Sequence, residues 1–292
     1  MMHDVWVVGH VTRDRIATKD GVTECAGGTS TYFSLALARL GGDVAVLTRM
    51  ALEDQDALLA EEREAGIEVR CAASPETTEF ENHYGGSSGD RRVQRIGAVA
   101  LPFVPEDLEG LQARLFHLGP LTPDAMSVEF IEATADRGRV SLDVQGLVRR
   151  IDRGGVEPCD WPEKARGLAR VSIVKADEGE AHMLTGELDP ERAARRIAAW
   201  GPEEVLVTRA SKGSVVFHRG EIHHVPAVAT PDPVDPTGSG DTFMPGYVSA
   251  RLGGADPAAA ALFGAGAAAL KLRHVGAFDG TRTKVAALLE SG

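Results

Sequence analysis

Short apolar runs rich in β-branched residues recur along this chain, and amphipathic stretches separate them. Val5–Val8, Val44–Thr48, Arg114–Leu118, Val140–Val144, Val171–Lys175 and Val205–Thr208 read as strands. Thr31–Leu40, Gln55–Ala65, Ala125–Asp136, Glu178–Leu184 and Pro190–Trp200 read as helices between them. Apolar runs of this length, bounded by helices, fit strands covered on both faces of a mainly parallel sheet. The expected class is therefore a layered α/β architecture. Further on, Val215–His218 and Ile222–Val225 flank Arg219-Gly220-Glu221, which predicts a hairpin. Helical patterns then run to the end.

One region breaks this rhythm. Thr77–Tyr84 and Arg91–Ala100 are strand-like but polar or alternating, and the composition of Gly85–Asp90 between them predicts a flexible turn. Strand propensity without a thick apolar face predicts a hairpin outside the main core. With Val11–Cys25 it would form a small sheet over a cleft; the alternative is an ordinary surface hairpin.

The 292 residues suit one large domain, or one with a small appendage. Lys and Arg number 31 against 43 Asp and Glu, a net charge of −12. With no basic block, nucleic acid and anionic membrane surfaces are not expected partners. Cys25, Cys71 and Cys159 are scattered, odd in number and without metal-like spacing. They read as reduced thiols in a cytoplasmic protein. The chain enters Asp4-Val5-Trp6-Val7-Val8-Gly9 directly, so no signal peptide is expected, and no apolar run is long enough to span a bilayer.

The most informative stretch is Val234-Asp235-Pro236-Thr237-Gly238-Ser239-Gly240-Asp241-Thr242-Phe243. A helix-compatible run follows it to Leu252. A glycine-rich turn opening a helix gathers unpaired N–H groups at the positive end of the helix dipole, which suits a phosphate. Asp241 would stand beside that cradle, where a carboxylate is costly unless it takes a proton from an attacking hydroxyl. The plainer reading is that Asp241 caps the helix. The dipole is expected to lower its pKa.

Other nucleotide signatures are missing. GxxxxGK[ST] and the protein-kinase set do not occur, which disfavours both of those folds. Gly264-Ala265-Gly266-Ala267-Ala268-Ala269 matches a dinucleotide string but lies inside a helical stretch and reads as close helix packing. Gly27-Gly28 precedes a helix that Thr29 or Ser30 could cap. Asp177-Glu178-Gly179-Glu180 opens a helix after a strand, favouring its dipole or holding Mg²⁺ through waters. Thr208-Arg209-Ala210-Ser211-Lys212-Gly213 ends a strand in a turn, a usual place for ligand contacts in open α/β sheets.

These segments, in this order, resemble the ribokinase-like (PfkB) family of carbohydrate kinases. Asp235–Phe243 is similar to its D-T-x-G-A-G-D-x-F signature, and Gly27-Gly28 through Gly41 to its N-terminal one. Val8–Asp14 looks like the first strand with its substrate-binding aspartate, Lys175–Ala181 like the N-x-x-E segment, and Val207–Gly213 like the nucleotide turn. The matches span nearly the whole chain. The resemblance implies a three-layer α/β/α sandwich with a small β lid, over residues 11–25 and 77–100 of a single 1–292 domain. It implies an anion hole of Gly238, Ser239 and Gly240, with Asp241 as catalytic base. Asp14 and Gly28 would face the substrate. Thr208, Arg209, Lys212, Gly213 and Thr237 would contact the nucleotide. Glu180, with Asp177, would position Mg²⁺.

Two departures matter. The Asn of N-x-x-E is Asp177 here, and an Asn common after the Gly-Gly pair is Tyr32. Asp143-Val144-Gln145-Gly146-Leu147-Val148-Arg149 resembles the myo-inositol kinase branch, with Gln145, Arg149 and Tyr32 as candidate substrate contacts; a surface salt bridge is the alternative for Arg149. The expectation is a Mg²⁺- and ATP-dependent kinase of a small sugar or cyclitol, myo-inositol being the specific candidate, acting as a monomer or homodimer. A nucleoside kinase and a non-catalytic sugar- or nucleotide-binding regulator are the alternatives. Donors other than ATP and a monovalent cation stay open.

Overall fold

The computed structural model describes residues 2–18, 21–85, 91–230, 233–234, 238–273 and 276–291. The chain opens with β1 (His3–Val8), β2 (Thr12–Thr18), β3 (Gly21–Gly27), α1 (Gly28–Arg39) and β4 (Val44–Met50). Two short helices, α2 (Gln55–Leu58) and α3 (Ala60–Glu64), lead to β5 (Glu68–Ala73), β6 (Glu79–Gly85) and β7 (Arg91–Ile96). Then come β8 (Ala113–Leu118), α4 (Val128–Ala135), β9 (Arg139–Asp143), β10 (Arg149–Asp152) and β11 (Gly155–Pro158). The second half continues with α5 (Lys164–Leu168), β12 (Ile173–Asp177), α6 (Glu178–Thr185), α7 (Pro190–Ala198) and β13 (Glu204–Thr208). It ends with β14 (Ser214–His218), β15 (Glu221–Val225), α8 (Ser239–Leu252), α9 (Pro257–Lys271) and α10 (Arg282–Glu290).

Among the described residues, nine strands form the main sheet in the order β15-β14-β13-β12-β9-β8-β1-β4-β5. Its pairs are parallel from β13 to β5, and the expected hairpin, β14–β15, adds two antiparallel strands at one edge. The two-residue period divides the core. Val5 and Val7 of β1 pack with Phe33 of α1 and Tyr247 of α8, while Trp6 and Val8 pack on the other face with Phe130 of α4. Continuous apolar runs therefore mark strands covered on both sides. The Gly264 stretch is helix packing, as the sequence suggests. A Cβ on Gly246 of α8 would stand 2.8 Å from the Gly264 α-carbon, so both glycines let α8 and α9 touch.

A second sheet runs β10-β11-β7-β6-β2-β3. The expected hairpin of residues 77–100 is β6–β7, with Asn82 directly opposite Gln94; residues 86–90 of its turn lie outside the described residues. Three features differ from expectation. The Gln55–Ala65 pattern is broken at Leu59, which lies buried with Val11 and Met50. The alternating, edge-exposed β5 and the β10–β11 hairpin carry too little apolar character to announce themselves. Neither Thr29 nor Ser30 caps α1, because its N-cap is Gly27; Ser30 instead donates to the Gly9 carbonyl at 2.8 Å.

Candidate active site

The carboxyl ends of the parallel strands and the start of α8 surround a cleft of about 60 Å³. Asp14, Gly28, Tyr32, Gln145, Arg149, Gly238 and Asp241 all line it. These seven come from four separate stretches of sequence, so the clustering is a property of the fold. Thr12, Thr29, Phe80, Gln94 and Leu121 complete the wall.

Gly238 is the N-cap of α8 and has φ +74°, the left-handed region that glycine favours. A Cβ there would also press on the Tyr32 ring at 2.9 Å. That close approach sets Tyr32 against the turn rather than in open solvent. Ser239 and Gly240 form the first residues of the helix, with N–H groups that no earlier turn can satisfy. Thr237, with Asp235 and Pro236, lies outside the described residues. Gly28 abuts the His10 carbonyl, and Asp14, inside β2, is buried and accepts from the Thr12 hydroxyl at 2.7 Å.

Asp241 does not cap α8; no side chain does. Its Oδ1 accepts a hydrogen bond from the Thr29 hydroxyl at 2.9 Å. Burial pushes its pKa above the usual aspartate value, and Asp143 adds to the rise. Lys175, Thr29 and Arg149 oppose that rise without cancelling it. The downward shift expected from the helix dipole is therefore outweighed by desolvation and a like charge.

Lys175 and Asp143, on adjacent strands β12 and β9, were not singled out in the sequence as site residues. Nζ of Lys175 donates to Asp143 Oδ2 at 2.9 Å, and both side chains are almost fully buried. Burial opposes the ammonium charge, but Asp143, Glu180 and Asp241 hold it protonated, with a pKa above the ordinary lysine range. The same Nζ lies 3.7 Å from where a Cβ on Gly240 would be. A buried cation thus stands directly behind the turn that opens α8.

Asp177 and Glu180 form a capping box on α6: each carboxylate accepts the other residue's backbone N–H at 2.7 Å. Burial pushes Glu180 up to about 7 against the pull of Lys175. No group of three acidic, His or Cys side chains suited to a metal occurs among the described residues. A Mg²⁺ site needs no such cage, since this ion commonly takes one or two carboxylates plus waters and phosphate oxygens. The second oxygens of Glu180 and Asp177 are hard donors of the right kind, so the residues fit the ion.

Thr208, Arg209, Lys212 and Gly213 stand apart from this cleft, at the carboxyl end of β13. Arg209 and Lys212 both approach Glu178 on α6, at 3.5 and 3.2 Å. The Thr208 hydroxyl donates to the Ala176 carbonyl at 3.5 Å, and Gly213 packs against Val225 of β15. The turn thereby presents two cations beside the first turn of α6.

The family model for pfkB family carbohydrate kinases matches residues 2–284. The chain belongs to the PfkB family. It is 29% identical over 256 residues to a cytidine kinase of Thermococcus kodakarensis, covering 85% of this chain and 88% of that protein. It is 30% identical over 283 residues to an inositol 3-kinase of Oryza sativa subsp. japonica, covering 88% of this chain and 66% of that protein. Among solved structures, it is similar to a pyrophosphate-dependent kinase in the ribokinase family complexed with a pyrophosphate analog and myo-inositol. That likeness has a TM-score of 0.86 and 26% identity over 97% of this chain and 99% of the other. The fold is the ribokinase-like α/β fold, and this PfkB protein is a phosphotransferase with an alcohol group as acceptor, of the sugar and nucleoside kinase class. No helix among the described residues is long and apolar enough to cross a membrane.

Proposed function

We propose that this PfkB kinase phosphorylates a hydroxyl of a cyclitol, myo-inositol foremost, using ATP. The observation that carries the acceptor reading is the wall of the cleft. Beside Asp241 it places one carboxylate (Asp14), two carboxamides (Gln94 and Gln145) and one guanidinium (Arg149) around a small space. Such a mixed ring of donors and acceptors matches a ring of hydroxyls, each of which both donates and accepts. Tyr32, Phe80 and Leu121 supply surface for the C–H faces. The likeness to an inositol 3-kinase and to a kinase that binds myo-inositol supports the same acceptor.

Asp241 takes the proton of the attacking hydroxyl. The acceptor oxygen bonds to the γ-phosphorus as the bond to the β–γ bridging oxygen breaks, and ADP leaves. A raised pKa makes Asp241 a better-matched base near neutral pH, and such a base contributes roughly 10²–10⁴ in rate. Backbone N–H groups of Gly238–Gly240, with Lys175 behind them, stabilise charge on the moving phosphoryl group. Arg209 and Lys212 hold the donor phosphates. Glu180 and Asp177 would hold Mg²⁺ through waters, and the ion would supply further neutralisation of phosphate charge. The sheet of β2, β3, β6 and β7 covers the acceptor as a lid, excluding water.

The likeness to a cytidine kinase favours a second acceptor, a nucleoside, for which Tyr32 or Phe80 would stack on a base. The deciding experiment is a turnover screen of cyclitols, pentoses, hexoses and nucleosides with ATP and with pyrophosphate as donors. Phosphorylation of myo-inositol, impaired by Asp14→Ala, is the expected result. Efficient turnover of nucleosides with inert cyclitols would remove the cyclitol assignment.

A further inference from the structure

A second cavity, of about 100 Å³, lies at the opposite end of the main sheet. Leu115 of β8, Ile173 of β12 and Val248 of α8 line it, and Arg114, Arg139 and Arg251 supply its charge. Arg114 is the second residue of β8 and Arg139 the first of β9, while Arg251 belongs to the last turn of α8. The cavity therefore sits at the amino ends of the parallel strands. The first turn of α8 borders the acceptor cleft, and about twelve residues of helix at 1.5 Å each separate the two sites by roughly 18 Å. It is a different place from the transfer site.

Its charge is unusual for this chain. The protein carries −12 overall, yet none of the residues lining this cavity is acidic. Each guanidinium brings five N–H donors, and these are only partly spent. Arg251 is held most firmly: it donates to both oxygens of buried Glu204 and to the Ala255 carbonyl, and Tyr247 also donates to Glu204. Glu204 thus fixes one fork in place. Arg114 has an exposed contact to Asp4 at 3.1 Å. Arg139 is half exposed, and its nearest carboxylate oxygens, on Glu203 and Glu204, stand 3.7 and 3.9 Å away, beyond direct hydrogen-bonding range. One immobilised and two half-exposed guanidiniums thus surround an apolar floor. Planar forks of this kind match the paired oxygens of phosphate and carboxylate groups.

We propose that this cavity is a second, non-catalytic binding site for a small multivalent anion of the phosphate or carboxylate type. The test is isothermal titration of the full-length protein with inorganic phosphate and, separately, with malonate, comparing wild type with Arg114→Gln/Arg139→Gln. Both arginines are half exposed, and neither belongs to the transfer machinery, so the variant should fold and keep its kcat. Anion bound at the transfer site is common to both proteins and cancels in the comparison. The variant is expected to lose one of the binding events, or to bind about ten- to hundredfold more weakly there. Loss with phosphate alone identifies a phosphate site; loss with malonate as well identifies a general oxyanion site. Titrations of the two proteins that superimpose for both anions, or a wild type that binds neither, overturn the proposal.

Discussion

Lys175→Met tests whether the ion pair behind the α8 turn acts in stability, in catalysis or in both. The methionine keeps the length and apolar stem of the lysine but removes its charge. Asp143 then remains buried, 3% exposed, with the Gln145 N–H at 3.1 Å as a remaining hydrogen bond. Breaking a buried pair from one side costs about 3–5 kcal/mol because a charge is left uncompensated. The surviving N–H bond places the expected loss near the low end, about 3 kcal/mol. Asp143→Asn in the same chain removes that stranded charge. The double variant should therefore be at least about 2 kcal/mol more stable than the two single losses added together. Urea unfolding of the four proteins at one fixed, near-neutral pH measures this coupling. Catalysis should behave differently. Lys175 Nζ stands beside Gly240, and restoring stability with Asp143→Asn does not restore a cation there. The double variant should thus fold well and still lose kcat. Additive stability losses would refute the ion-pair argument. A double variant with wild-type kcat would refute the electrostatic role of Lys175.

Three further outcomes follow from the same geometry. Asp241→Asn keeps an oxygen for the Thr29 hydroxyl but cannot take a proton; kcat should fall by about 10² or more with little change in donor affinity, read by steady-state kinetics, and near-wild-type turnover would remove Asp241 as the base. Gln94→Leu removes a carboxamide that lines the cleft and donates to buried Asn82 at 3.2 Å; KM for the acceptor should rise about two- to tenfold while KM for the donor stays put, and an unchanged acceptor KM would place Gln94 outside the contact set. Glu62 is fully buried on α3, and desolvation raises its pKa, so the folded protein holds that proton more tightly than the unfolded chain. Its contribution to stability is complete below the unfolded value of 4.5 and is lost as pH rises through the folded one. Glu62→Gln should therefore flatten the decline of Tm with rising pH above that point, and parallel Tm–pH curves would exclude Glu62 as its source.

Much of the main sheet was legible because its strands are covered on both faces. Val5–Val8 and Val205–Thr208 are continuous apolar runs for that reason, and their neighbours are amphipathic helices with clear ends, such as Asp189 before Pro190. The second sheet was only half legible. Its strands have one polar side, so β10 and β11 carry no strand pattern of their own. The pairing of Asn82 with Gln94 depends on a register set across a turn, and no local pattern states a register. Gln94 therefore went unnamed, although it lines the same cleft as Asp241.

The candidate site divides along the same line. Gly238, Ser239, Gly240 and Asp241 are contiguous, and their chemistry follows from one local rule: a glycine turn at a helix start collects N–H groups. Lys175 and Asp143 obey no local rule. Each reads as an ordinary charged residue at the end of a strand, and only the adjacency of β9 and β12 joins them into a buried pair. Thr29 is similar. In the sequence it is a plausible cap for α1, whereas in the fold Gly27 takes that place and the Thr29 hydroxyl turns to Asp241, 212 residues away. The proposed phosphoryl-transfer half of the site is written in consecutive residues, as one backbone turn wrapping one phosphate would require. The proposed acceptor half is assembled from β2, α1, β6, β7 and the segment after β9, as a polyol met from several directions at once would require. That difference is why the sequence points to a kinase more sharply than to the molecule it phosphorylates, and why the second-sheet residues of the cleft, Gln94 first among them, are where acceptor choice should be sought.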